Sequence, residues 1–366
     1  MVRKFAMAAL LIAGAAVSFE AAGRVAPVLT GGTGTLYMGS YLGKIFVLDE
    51  ATEKVVGEIP MKTGVPLDMT LSHDRKRFYA ITTYLEDIDV VDIASRQVVD
   101  TFRLTEGNRR VRISSYEVDP SNRFMVLSTR AATRLTDRWD IGPAELLLYD
   151  LNSHKIVRKI PWPDGEERER STMLYSPDGK YLYFFADDIF VYDTTDYKQV
   201  DKWELSKPVE NGFGRLDFGS IDVLNEEPGY FTGFFTSEDP VQHRRVMGIA
   251  RVNLVQKQLE FNALGPAEER VRSFALAPGR KLAYGILDRI GHYEFWTFDL
   301  EGRRLQNRLE FQGRPRMSIK ASSNGKILYI YQAGNTIDLY DAATYKYLRT
   351  VTLASDMTTD MYILPK

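Results

Sequence analysis

The chain has 366 residues, of which 44% are apolar and 12% aromatic, and a formal net charge of −2. That near-neutral balance gives no support to nucleic acid or an anionic membrane surface as the main partner. Cysteine is absent, which excludes disulfides, thiolate metal sites, a cysteine nucleophile and haem attachment through Cys-x-x-Cys-His on this chain.

The first stretch reads as a targeting segment. Arg3 and Lys4 form a positive start, and Phe5 to Val17 is an apolar run too short to span a bilayer. Small residues suitable for cleavage follow at Ala16 to Ser18 and at Ala21 to Gly23. Residues 1–22 are therefore expected to be a signal peptide, with an uncleaved membrane tether as the alternative, residues 23–366 a single exported domain, and the mature protein periplasmic or secreted.

Beyond that segment the chain is written in short strand-like runs bounded by turn residues. The clearest unit runs from Thr172 to Val200. Met173 and Tyr175 alternate with polar residues, Ser176 to Gly179 is a turn, and Tyr181 to Phe185 is a second strand. Ile189 to Tyr192 is a third, closed by Asp193. β-branched and aromatic runs separated by Pro, Asp and Gly are the form of hairpin-linked antiparallel strands. The closing aspartate recurs at Asp49, Asp92, Asp150, Asp299 and Asp341, with Asn253 in the matching place of another unit. A fourth apolar run follows each. Seven units of roughly 40 to 60 residues predict an all-β, seven-bladed β-propeller of four-stranded antiparallel blades.

The ends of the chain predict how the ring closes. Thr35 to Tyr41 corresponds to a second strand, and its missing first strand is expected from Asp360 to Leu364, which resembles Asp68 to Leu71. Arg24 to Thr30 competes for the same slot.

Two units carry insertions between their second and third strands: Arg130 to Pro143 in the third and Ser237 to Arg245 in the fifth. Both are expected on the same face of the disc. Arg134, Arg138, Trp139, His243 and Arg244 are the candidate partner-contact residues, a mixture suited to a protein–protein contact. Long connections tolerated without function are the alternative. The basic and acidic clusters Arg109, Arg110 and Arg112, and Glu166 to Arg170, read as solvated connections.

Catalytic signals are weak. The four histidines show no i, i+4 spacing; His73 falls at the turn after a first strand, His154, His243 and His292 fall in connections, and each reads as structural or solvent-exposed. The closing aspartates suit turn hydrogen bonds better than a carboxylate ring. Serine pairs at Ser114 and Ser115, and at Ser322 and Ser323, have no placed base. Gly31 to Gly34 lacks the lysine and helix of a phosphate loop. The expected innermost strands offer Asp68, Glu117, Asp217 and Asp360 without an obvious metal set. No catalytic, cofactor-binding or metal residue is assigned.

The repeat core, with SPDGKYLYFF and DIFVYD, resembles the YVTN-type seven-bladed propellers, and within them the β subunit of quinohaemoprotein amine dehydrogenase. The likeness covers nearly the whole mature chain. It is most specific at Arg130 to Pro143, Thr236 to Arg245, Ser171 to Leu174 with Asp178 and Gly179, and the tail Met357 to Ile363. The resemblance implies a non-catalytic subunit of a periplasmic complex that oxidatively deaminates primary amines. It implies two partners: a small subunit bearing cysteine tryptophylquinone and a dihaem cytochrome c subunit bearing c-type haem. No cofactor is expected on this chain, whose lack of cysteine fits that division of labour. The alternatives are a free-standing exported binding or surface propeller, and a lactonase-like metal-dependent hydrolase working from the central channel.

Overall fold

The computed structural model describes residues 28–168, 171–205, 214, 216–222, 224–239, 241–267, 271–332 and 334–366. The expected signal peptide lies outside the described residues. The strands form seven four-stranded antiparallel sheets. Each is one blade, and apart from the first they follow each other in chain order.

Blade 4 shows why such short runs suffice. Thr172–Tyr175, Tyr181–Phe185, Ile189–Asp193 and Lys198–Trp203 pair in sequence. The Ser176 hydroxyl donates to Asp178 at 2.7 Å and accepts the Tyr181 N–H at 3.0 Å, which fixes the first turn. The same device recurs with Ser72 and Asp74, and with Ser322 and Asn324. At the end of the third strand, Asp193 accepts the Thr195 N–H at 2.8 Å. Asp49, Asp92, Asp150, Asn253, Asp299 and Asp341 likewise accept backbone N–H groups of the turns that follow them. The repeated aspartate is thus turn chemistry, as the sequence suggests.

The buried side chains form seven clusters, one between each pair of adjacent blades. A blade buries its faces only against its neighbours, so the ring must close to complete the core. Closure falls to the C-terminus. Tyr362–Leu364 pairs antiparallel with Thr35–Tyr37, so the tail supplies the innermost strand of blade 1. The competing segment, in its described part, lies elsewhere. The carbonyls of Leu29 and Thr30 accept from Arg349 and Asn324 of blade 7. Buried Glu50 reinforces the seam by accepting the N–H groups of Gly34 and Ser323 and the Tyr329 hydroxyl, at 2.7, 2.9 and 3.1 Å. On the other side, the Tyr362 hydroxyl donates to the Met69 carbonyl of blade 2.

Three sequence readings need correction. Arg109, Arg110 and Arg112 are not in a connection: they belong to Arg109–Val118, the ten-residue innermost strand of blade 3. His292 opens the strand His292–Asp299 rather than lying in a loop. The blade 3 insertion is not a long connection, because Phe124–Arg134 and Trp139–Asp150 pair out to Arg134 and Trp139. Backbone hydrogen bonding continues into the insertion and makes it a hairpin, closed by the Leu135 N–H donating to the Arg138 carbonyl at 2.8 Å.

Candidate functional site

Two regions of the ring depart from the repeat. The first is a set of hairpins on one face. Antiparallel alternation puts every connection between second and third strands on the same face as the crossovers between blades. Blade 3 projects its tip at Leu135 to Arg138. Blade 5 pairs Tyr230–Glu238 with Arg245–Asn253, and its turn is held by the Asp239 N–H donating to the Arg244 carbonyl and by the His243 N–H donating to the Asp239 carbonyl. Blade 6 adds a third extended hairpin, Leu282–Arg289 with His292–Asp299.

All five sequence candidates lie on the first two hairpins. Arg134 and Trp139 face each other across the blade 3 ladder, and Arg138 sits in its turn beside Asp137, at 3.3 Å. His243 and Arg244 sit in the blade 5 turn, with His243 Nδ1 3.7 Å from Glu238. Every one of them is exposed. Apolar side chains accompany them: Trp139 is 47%, Ile141 66% and Val241 84% exposed. The third tip, which sequence reasoning missed, presents Ile290 at 90% exposure. Its sequence signal is the unusual spacing of the second and third strands around Arg289 to Gly291.

The second region is the axis. The innermost strands are Tyr362–Leu364, Pro66–Leu71, Arg109–Val118, Thr172–Tyr175, Leu216–Ile221, Val271–Leu276 and Ser318–Ala321. A cavity of about 1150 Å³ lies along those of blades 2 to 5. Its end nearest the tight turns is bordered by the segment after the blade 5 inner strand, which replaces a tight turn with a longer path. Asp222 in that segment accepts the Leu276 N–H of blade 6 at 3.0 Å, and Lys320 of blade 7 at 3.4 Å. The carbonyl of Leu224 accepts Arg75 of blade 2 at 2.9 Å, and the Leu224 side chain packs in the core between blades 1 and 2. One loop therefore ties together blades on opposite sides of the axis. Only the missing tight turn in the fifth unit announces it in sequence.

Lys320 is the chief buried cation of the axis, 7% exposed at its side chain, and Asp360 approaches it at 3.9 Å. Burial works against its charge, but Asp222 and then Asp360 outweigh it and raise its pKa. Glu117 lies 3.5 Å from His73 Nε2, and burial pushes its carboxyl up while His73 opposes the shift. The hydroxyls of Tyr116 and Tyr362 are pushed well above their usual range by burial first, and next by the charge of Asp68. Of the acidic residues expected along the axis, Asp68 and Glu117 line the cavity. Asp360 is held by the Tyr331 hydroxyl at 2.7 Å. Asp217 pairs with Thr236 on the blade 5 ladder. Among the described residues no three histidine or acidic side chains converge as a metal cage.

No protein-family model and no curated protein matches the chain. Among solved structures it resembles dihydro-haem d1 dehydrogenase NirN, at 13% identity and a TM-score of 0.55, over 91% of this chain and 75% of that one. It also resembles a functionally unknown protein from Desulfotomaculum acetoxidans, at 13% identity and 0.55, over 91% and 99%. A third likeness is to the Swd1 β-propeller domain of Myceliophteria thermophila, at 10% identity and 0.52, over 87% and 94%. At identities this low the likeness shows the fold alone, and the fold is a seven-bladed β-propeller.

Proposed function

We propose that this chain is the non-catalytic propeller subunit of a periplasmic complex of the quinohaemoprotein amine dehydrogenase kind. Its partners in this reading are a small quinone-bearing subunit and a dihaem cytochrome c subunit. Cysteine tryptophylquinone and c-type haem on those chains carry out the oxidative deamination of primary amines. The propeller holds the small subunit and walls its active site.

The observation that carries the reading is the hairpin face. The tips of blades 3 and 5 present Arg134, Arg138, Trp139, His243 and Arg244 together with exposed Ile141 and Val241 on one side of the disc. Tryptophan and arginine are the residue types that most often dominate binding energy at protein interfaces. Building the tips on hydrogen-bonded strands lowers the ordering cost of association. The sequence resemblance supplies the identity of the partners.

The test is a pull-down of the tagged protein from its native periplasm, with a visible spectrum and a quinone stain of what co-elutes. Haem bands and a small quinone-staining chain are the expected result, and amine-dependent dye reduction should follow them through purification. A clean, colourless monomer rejects the reading. A second reading, an exported propeller that binds a small molecule, is favoured by the axial cavity and survives that outcome.

A further inference from the structure

The hairpin of blade 3 has an edge that its own sheet leaves open. The outer strand Lys155–Ile160 covers Trp139–Asp150 only from Leu146 onward. Just before that point, the Ala144 N–H donates to the Glu167 carboxylate at 3.0 Å, and the Ala144 carbonyl accepts the Trp162 indole N–H at 2.8 Å. Pro143 has no N–H to offer. From Trp139 to Gly142 no strand covers this edge among the described residues. The other two hairpins are covered. In blade 5 the outer strand pairs as far as Val246 opposite Pro266. In blade 6 it reaches Glu294 opposite Glu310, and the Phe311 N–H then donates to the Tyr293 carbonyl at 3.0 Å.

The register shows what the open edge presents. Leu135 and Arg138 form a hydrogen-bonded pair, so Arg134 with Trp139 and Ala132 with Ile141 are non-hydrogen-bonded pairs. Backbone groups of such pairs point away from each other. The Arg134 N–H accordingly turns to the inner side and donates to the Asn108 carbonyl at 2.9 Å, while Trp139 and Ile141 turn theirs outward. Outward N–H and C=O groups two residues apart are what an added strand pairs with.

The side chains add a charge. Residues directly opposite each other share a face of the sheet, so Arg110, Arg112, Arg130 and Arg134 lie on the face that carries Trp139 and Ile141. Asp140 lies on the other face, with Thr133 and Arg109. Arg110 approaches Glu86 at 3.4 Å, and Arg112 and Arg134 stand exposed. A segment added beside Trp139 and Ile141 therefore meets positive charge on that face. A second copy of this chain would set the same arginines beside each other, which like-charge repulsion disfavours.

We propose that a partner chain adds an extended segment to this edge, pairing its backbone with Trp139 and Ile141 and presenting acidic side chains to the arginine face. The inference deepens the subunit reading by naming how a partner docks, and it rests on that reading for the existence of the partner.

The test is fluorescence anisotropy of a dye-labelled peptide, in which glutamate alternates with threonine, titrated with the purified protein. The same peptide with lysine for glutamate is expected to bind at least roughly tenfold more weakly. So is the glutamate peptide N-methylated throughout, which cannot donate to the edge, again by roughly tenfold or more. Ile141→Pro removes an outward N–H without touching a ladder bond and should abolish binding. Arg134→Glu should weaken it by about tenfold, with melting temperatures showing that the ring is intact in both variants. Equal binding of either control peptide, unchanged affinity in both variants, or no binding of the glutamate peptide at about 1 mM would overturn the proposal. A dimer of this chain in sedimentation that Ile141→Pro abolishes would also overturn it, since a second copy would then fill the edge. The periplasmic pull-down separates this inference from the subunit reading. Coloured partners retained by Ile141→Pro overturn the docking mode and leave the complex standing. A colourless wild type rejects the complex, and the peptide titrations still decide the edge.

Discussion

Blades 4 and 5 adjoin, share one buried core and are built from the same four-stranded plan, yet they serve different ends. Blade 4 has strands of four to six residues and turns closed by Ser176, Asp178 and Asp193. Blade 5 has three strands of nine residues, an outward hairpin and a loop reaching to blades on both sides of the axis. The difference teaches where the fold ends and function begins. Local turn chemistry, repeated, makes the ring. The places where it is abandoned, at the blade 5 axial loop and at the hairpins of blades 3, 5 and 6, are where the molecule acquires a surface and a cavity.

The comparison can be broken at four points of decreasing effect. Deleting Thr359 to Lys366 removes the strand that completes blade 1, including buried Met361, Tyr362, Ile363 and Leu364. The loss should lower the melting temperature by roughly 10 °C or more, measured by calorimetry. An unchanged transition would mean that the ring does not close through the tail. Next, Lys320→Met leaves Asp222 buried without its cation and should cost about 3 kcal/mol in denaturant unfolding. If the blade 5 loop were a passive connection, this variant would behave like a surface change.

The regular blade should respond less. Asp193→Ala removes the acceptor of the Thr195 N–H and should lower the denaturant midpoint by less than Lys320→Met does. The smallest effect is a pH dependence in the first turn of blade 4. Hydrogen bonds from Ser176, then from the Lys180 backbone, lower the Asp178 carboxyl from its ordinary 3.8 to about 2. A depressed carboxyl contributes stability above its unfolded value, and that contribution is lost as pH falls through the folded one. The melting-temperature gap between the wild type and Asp178→Asn should therefore be present at pH 5 and close between about pH 4 and 2. Because the side chain is exposed, the gap should correspond to a few tenths of a kcal/mol. A gap that widened with acid would reverse the assignment.

The scaffold was legible because its signals are local. A Ser-x-Asp turn, an aspartate after a strand and alternating apolar residues each act within a few positions, and they recur. Even closure could be read, since Asp360 to Leu364 carries the pattern of an inner strand that the first blade lacks. The axis was not legible. Lys320 reads as an ordinary polar residue of a short strand, and its buried pairing with Asp222 spans 98 positions. Leu224 lies in a unit whose tight turn is simply missing. Arg109 to Arg112 escape sequence reading for a related reason: this end of the blade 3 inner strand pairs with Arg130 to Thr133 of the extended hairpin, where the arginines stay exposed. The hairpins fell between these cases. Their position on two blades and one face followed from strand order, but their hydrogen-bonded length did not, because turn-like composition from Arg130 to Pro143 masked continuous pairing.

In the proposed complex this face of the ring, and not its axis, holds the partner chains. The most direct measurement is parallel co-purification from periplasm of the wild type, a tip variant with Arg138→Ala and Trp139→Ala, and the axial variant Glu117→Gln. Haem absorbance and a quinone-staining chain are expected with the wild type and with Glu117→Gln, and their loss from the tip variant while its melting temperature stays unchanged. Coloured partners retained by the tip variant, or a wild type that elutes colourless and alone, would contradict it.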